Sequence, residues 1–275
     1  MAIVLSLVSA LAYGVSDFLG GIFARRASAW QIAVVGQSSS TAFSLLAAIV
    51  VGGSPTGRDL VFGALAGLGG GFGAAFLYRG LSSARMGVVA PISAIGTALI
   101  PVAVGLVTGD RPSETTLIGL VLAFPAIALI SRVVDDNPAH RGGVVDGVLA
   151  GLGFGLLFVF LGQIGDDAGL LPLALSQLTS ILSVIITALL LRQAWVPRDR
   201  AAWGAVVMGP LGALAQGAFL YATHHGLLSV VSVISSLYPA STVLLAAVVL
   251  REKIHRWQGV GLVFAALAVG LVAAG

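Results

Sequence analysis
Of the chain's 275 residues 58% are hydrophobic and only 9% charged, and its mean hydropathy is +1.05; soluble domains carry charge on roughly a quarter of their residues, so most of this surface is solvated by lipid. The absence of cysteine excludes a disulfide framework, a thiolate metal site and a cysteine nucleophile. The pI near 9.8 rests on 14 Lys and Arg set in short clusters between apolar runs, which argues against a nucleic-acid partner and reads as a record of membrane topology.

A helix needs about 20 mostly apolar residues to cross a bilayer, and runs this long lack the alternation of a barrel strand. Ten such runs lie near 2–23, 30–52, 60–80, 87–108, 115–134, 145–165, 170–191, 201–223, 228–250 and 257–274. Met1 leads straight into the first without basic residues, which argues against a cleaved signal peptide. Span 1 carries Ser6, Ser9, Tyr13, Asp17 and Gly20 at a helical period, a polar stripe that turns inward. Asp17 is the one acid well inside a span, and an intramembrane carboxylate is a functional candidate by default; it can bind a cationic group or exchange a proton. The plainer alternative pairs it with Arg25 and Arg26, roughly two turns away.

Span 2 has Gln37, Thr41 and Ser44 on one face, and span 7 has Gln177, Ser180 and Ser183; both faces are expected to serve packing. Span 3 ends in Tyr78, a ring and hydroxyl for an amphipathic ligand, followed by Arg79, which can meet an anionic group or a lipid phosphate, the phosphate being the favoured expectation. Span 4 sets Ser93, Thr97 and Pro101 at four-residue steps. Span 8 contributes Gln216 and Tyr221, and span 9 contributes Ser229, Ser232, Ser235, Ser236, Tyr238, Pro239 and Thr242. Proline frees a backbone carbonyl inside a membrane helix and permits bending, whereas serine and threonine more often mediate helix packing. The substrate candidates are Asp17, Tyr13, Tyr78, Ser93, Thr97, Gln216, Tyr221, Ser235 and Tyr238, with Asp17 also the candidate for proton coupling.

Other patterns read as structure. Gly63, Gly67 and Gly71 in span 3, and Gly147, Gly151 and Gly155 in span 6, are four-residue series that let helices approach closely. Gly69, Gly71 and Ala74 match a loose dinucleotide-binding pattern without the strand it needs, and there is no Walker-type loop for ATP. Adjacent His224 and His225 are expected in a solvated loop rather than on a metal. No metal or cofactor is expected.

The two halves resemble each other. Ala75-Phe76-Leu77-Tyr78 recurs as Ala218-Phe219-Leu220-Tyr221, Tyr13-Gly14 answers Phe154-Gly155, and Gln37 answers Gln177. Asp110-Arg111-Pro112 followed by Gly119 corresponds to Glu252-Lys253-Ile254 followed by Gly261. Five helices is an odd number, so the second half must be inverted relative to the first. The expected fold is an all-α integral membrane protein of ten transmembrane helices in a five-plus-five inverted repeat: residues 1–134, a linker at 135–144, and residues 145–275. Twelve of the 14 Lys and Arg follow odd-numbered spans, and all four tryptophans border that side; by the positive-inside rule both termini face outward.

Ten spans in two repeats, the aromatic-glycine pair opening each half, the Phe-Leu-Tyr ends of spans 3 and 8, and the acid-basic elements at Asp110 and Glu252 together resemble the EamA-type members of the drug/metabolite transporter superfamily. The resemblance implies a helical basket whose central cavity, lined by spans 1, 3, 4, 6, 8 and 9, works by alternating access on amino acids, metabolites, nucleotide sugars or drugs. It also implies both termini inside, against the charge count, and it makes spans 2 and 7 peripheral. The leading expectation is thus a multi-pass plasma-membrane secondary transporter for a small organic solute, an amino acid or drug-like compound, sufficient as a monomer in the lipid bilayer. The alternative is a membrane enzyme acting on a lipid-linked substrate, which requires Asp17, His224 and Arg79 to converge.

Overall fold
A computed structural model describes residues 1–24, 26–83, 86–131, 143–251 and 253–275. Arg25, Arg85, Arg132, Arg141, Glu252 and nearly all of the expected linker lie outside the described residues, as does the side chain of Tyr78. The described chain is helical: α1 (Ala2–Ala24), α2 (Ala29–Val51), α3 (Gly57–Ser83), α4 (Met86–Thr108), α5 (Glu114–Ile130), α6 (Val144–Leu161), α7 (Leu171–Leu190), α8 (Met208–Thr223), α9 (Leu228–Ser235), α10 (Tyr238–Val249) and α11 (Arg256–Ala274). Eight segments are long and apolar enough to cross a membrane, and the shorter apolar helices Ile92–Thr108 and Glu114–Ile130 make ten. Large apolar side chains ring the outside, with Val50, Val107 and Leu190 exposed by 85%, 87% and 78%. Ser6, Ser9, Gln177, Gln216, Ser232 and Ser235 are among the polar residues buried inside. This is a multi-pass membrane bundle.

Several boundaries differ from the hydropathy reading for identifiable reasons. Span 9 is two helices, because Pro239 has no N–H to continue the ladder and the chain turns at Ser236 and Leu237, where Ala240 N–H bonds to Leu237 O at 2.9 Å. Pro101, by contrast, sits within an unbroken α4. Span 8 begins as a 3-10 helix over Arg200–Val207 and becomes α-helical at Met208. Span 6 stops at Leu161, and a turn leads into the short 3-10 helix Asp166–Ala168.

Helix contacts come in exchanged pairs. α3 packs on α6 as α8 does on α1; α3 packs on α7 as α8 does on α2; α4 packs on α6 as α9 and α10 do on α1. The pairs α2 with α7, α4 with α9, and α5 with α11 map onto themselves when the halves are exchanged.

Glycine makes the closest of these contacts possible. Gly63, Gly67 and Gly71 turn towards Pro172, Ser176 and Ser180 of α7, whereas Gly147, Gly151 and Gly155 turn towards Val89, Ser93 and Gly96 of α4. A second stripe, unnoticed in the sequence, joins α3 to α6: Gly69 and Gly73 meet Gly153 backbone to backbone.

Connections after even-numbered spans are clasped together. Ser54 N–H donates to Asp167 O at 2.7 Å, Gly165 N–H to Asp59 Oδ1 at 2.9 Å, and Ser229 N–H to Asp110 Oδ2 at 2.8 Å. Asp110 thereby caps the N-terminus of α9 across the two halves, where a carboxylate also suits the helix dipole.

Candidate functional site
The cavity begins with the close approach of α1 and α10. At Gly14 an added Cβ would lie 2.6 Å from Tyr238 O, and Thr242 Oγ1 donates to Gly14 O at 3.1 Å. This brings the Tyr238 ring to 6.3 Å from that of Tyr13. Across from α1, the α6 ring of Phe158 lies 6.1 Å from Tyr13 and stacks at 4.1 Å on Phe219. The result is an aromatic wall one helical turn from Asp17.

Around that wall is a cavity with about 910 Å³ of atom-free space, its mouth included. Tyr13, Ser16 and Asp17 line it from α1, Gly36, Gln37 and Ser40 from α2, Gly70 and Ala74 from α3, and Thr97 from α4. Phe154, Leu157 and Phe158 of α6, Gln177 of α7, Met208, Gly212 and Gln216 of α8, and Tyr238 of α10 complete it. These positions fall in the early part of α2 and α8 and the later part of α3, so the cavity occupies the half of the bundle whose connections carry most of the arginines. The clasped connections close the other half.

Three of the polar lining residues are already partnered. Gln37 Nε2 donates to Ser180 Oγ at 2.9 Å, Ser40 Oγ to Gly209 O at 3.0 Å, and Thr97 Oγ1 to Ser93 O at 2.8 Å. Three lining atoms are buried without a partner among the described residues: Gln177 Oε1, Gln216 Oε1 and the Tyr13 hydroxyl. No hydrogen bond or ion pair reaches the Asp17 carboxylate among the described residues. Arg26 therefore does not pair with it.

Of the candidates from sequence, Tyr13, Asp17, Thr97, Gln216 and Tyr238 meet at this cavity. Ser93 and Ser235 are fully buried outside its lining, with unpartnered hydroxyls: the backbone at Ser93 faces Gly151 of α6, and Ser235 ends α9 three residues before Tyr238. Tyr221 lies on the clasped side, edge-on to His224 at 5.9 Å.

Two expectations are corrected. Arg79 meets the carboxylate of Asp146 on α6, with Nε donating at 2.8 Å, and its guanidinium covers the Phe76 ring at 4.4 Å; a carboxylate on the facing helix is fixed nearby where a lipid phosphate is not. His224 is tucked in rather than solvated, with Nε2 3.0 Å from Ile164 O and Nδ1 3.6 Å from Asp166 Oδ1. Asp17, Arg79 and His224 thus have separate surroundings, so the convergence that a membrane enzyme required is missing. Among the described residues no group of three or more His, Asp or Glu is placed to hold a metal.

Sequence reasoning passed over Ser16, Ser40 and Phe158, and it assigned Gln37 and Gln177 to packing; the glutamines do pack, and they also line the cavity. The signal for Phe158 was present, since it stands four residues after Phe154 as Asp17 stands four after Tyr13.

Fold and cavity define a polytopic helical protein with an internal chamber, largely apolar in its walls, that holds one carboxylate, Asp17. The EamA-like transporter family model matches residues 1–132 and again 141–274, and the chain belongs to that family of transporters. A solved crystal structure, titled only as a protein, superposes with a TM-score of 0.77 at 14% identity, covering 99% of this chain and 98% of that one; at that identity the likeness concerns the fold alone. A search of curated proteins finds no match.

Proposed function
We propose that the chain is a secondary transporter that moves a small organic solute by alternating access, with the cavity around Asp17 as its binding site. The observation that carries this is a chamber near the middle of the bundle, holding an unpaired carboxylate and unpartnered amide oxygens and closed on one side. Residues 1–134 and 145–275 are its inverted repeats, joined by 135–144; the exchanged helix contacts support that relation, since a two-fold axis in the membrane plane would generate them. Asp17 exchanges a proton with substrate, because a carboxylate without an ion pair in a low-dielectric chamber must be neutralised by one or the other. The charge asymmetry supports a plasma-membrane orientation with both termini outside, and the halves bury each other's polar faces well enough for a monomer.

The test is reconstitution. Purified protein in liposomes should move its substrate without ATP, and failure with a broad metabolite panel by protein that elutes as a single folded species would overturn the reading.

A further inference from the structure
The chemistry of the chamber is one-sided. Asp17 is the one charged side chain among the described residues that line it, and its partly exposed carboxylate has no hydrogen-bond or ion-pair partner among them. Among the described residues that line it there is no Lys, Arg or His. Arg79, which does not line the chamber, is held by Asp146 of α6. A solute carboxylate would therefore meet a like charge with no cation among the described lining residues to offset it, whereas an ammonium can donate to the Asp17 carboxylate.

The rings add to this selection. Tyr13 lies one helical turn from Asp17 and within 6.3 Å of both Tyr238 and Phe158, ring centre to ring centre, so a cation held at the carboxylate sits against aromatic faces that attract it. Phe154 and Leu157, further along the lining, offer an apolar surface to the body of the solute. Repeat symmetry sharpens the point, because the positions answering Tyr13 and Asp17 in the second half are Phe154 and Phe158. One wall of the chamber is anionic and its counterpart is purely apolar.

We propose that this chamber selects organic monocations, an ammonium group on an aromatic or branched apolar body, over zwitterions and anions of the same shape. The proposal rests on the reading of the chamber as the substrate site and narrows its ligand class to amines that lack a carboxylate. Asp17 takes the ammonium, the rings of Tyr13 and Tyr238 flank it, and Phe154 with Phe158 holds the body.

The experiment uses three probes with one phenylethyl body: 2-phenylethylammonium, phenylalanine and 3-phenylpropanoate, titrated calorimetrically into the detergent-purified full chain at neutral pH. The amine is expected to bind about tenfold or more tighter than phenylalanine, and the propanoate not at all. Asp17→Asn should weaken the amine by about 10- to 100-fold, the range for losing a hydrogen bond to a charged group, while Asp17→Glu retains binding. Phenylalanine binding as tightly as the amine, no binding of any probe, or an Asp17→Asn protein that keeps full amine affinity overturns the proposal. If Asp17→Asn does not fold, the comparison of the three probes on the unsubstituted chain decides alone. Flux separates this from the broader reading: liposomes that carry another solute while the amine fails to bind leave transport standing and remove the cation selectivity, and amine binding without flux of any solute does the reverse.

Discussion

Gly153→Ala isolates the energetic role of the glycine seam between α3 and α6. An alanine Cβ there would lie 2.5 Å from Gly73 N, 2.6 Å from Gly69 O and 2.6 Å from Gly73 Cα. Ordinary contact begins at 3.4 Å, so the shortfall is about 0.8 to 0.9 Å against backbone atoms that no rotamer change can move. The helices must separate, and a gap of that size forfeits a quarter to a half of each dispersion contact along the seam. Overpacking of this kind costs about 1–3 kcal/mol, and rigid neighbours place Gly153 near 3. Alanine also favours the helix over glycine by about 1 kcal/mol, which complicates a single measurement. Gly21→Ala is the matched control, because an added Cβ there meets nothing within 4 Å and the propensity gain is common to both variants. The difference between them is then the packing cost, about 3 kcal/mol, or some 6–12 °C in melting temperature for a chain of this length. Thermal unfolding in mild detergent, followed by size-exclusion recovery, measures it. A Gly153→Ala protein that melts at or above Gly21→Ala would refute the reasoning.

Further expectations are independent of that seam. Asp110→Ala removes the acceptor for Ser229 N–H at the start of α9 and should cost about 0.5–2 kcal/mol in the same melting assay, whereas Asp110→Asn should recover part of the loss; an unchanged Asp110→Ala melt would show that the cap contributes nothing. If Asp17 exchanges the coupling proton, Asp17→Asn in liposomes should abolish the response of flux to an imposed pH gradient, and a retained response would sink that role. Gly36→Ala adds a Cβ that meets Ala205 O and Met208 only at 3.8–3.9 Å, so it should be accommodated, with a melt no lower than the parent's. Because the chain has no cysteine, single cysteines at Ser28 and Asp167 report orientation directly: with both termini outside, the Asp167 position labels from outside and the Ser28 position does not, and the opposite pattern reverses the assignment.

How much of this was legible in sequence varies with the range of the interaction. The spans were legible because insertion depends on local hydropathy, and the glycine series of span 3 and span 6 were legible because small residues at four-residue steps share a face. Which neighbour each face meets was not. Gly69, Gly73 and Gly153 belong to a second seam that only the placement of three helices reveals. Two members of the polar stripe of α1, Tyr13 and Asp17, lie at the cavity wall. Tyr221 carries equally suggestive chemistry but lies towards the clasped side, because depth along the helix, not side-chain type, decides whether a residue reaches the chamber. Arg79 shows the same limit: its partner Asp146 is 67 residues away, beyond any local pattern. Span 2 is peripheral by resemblance, yet Gly209 and Gly212, facing Ser39 and Ser40, let α8 lie close to α2, whose Gln37 lines the cavity.

The clasp on the side away from the cavity has a thermodynamic meaning. It consists of three hydrogen bonds from one half of the chain to the other, at Ser54, Asp59 and Asp110, and any state open on that side has to break them. At a net 0.5–1.5 kcal/mol each, the closed state is favoured by about 1.5–4.5 kcal/mol from this source. That leaves the open state at roughly one molecule in ten to one in two thousand. A solute that binds the open state about tenfold to two-thousandfold more tightly brings the two states to parity, so in an alternating-access cycle the latch is weak enough for a bound solute to release.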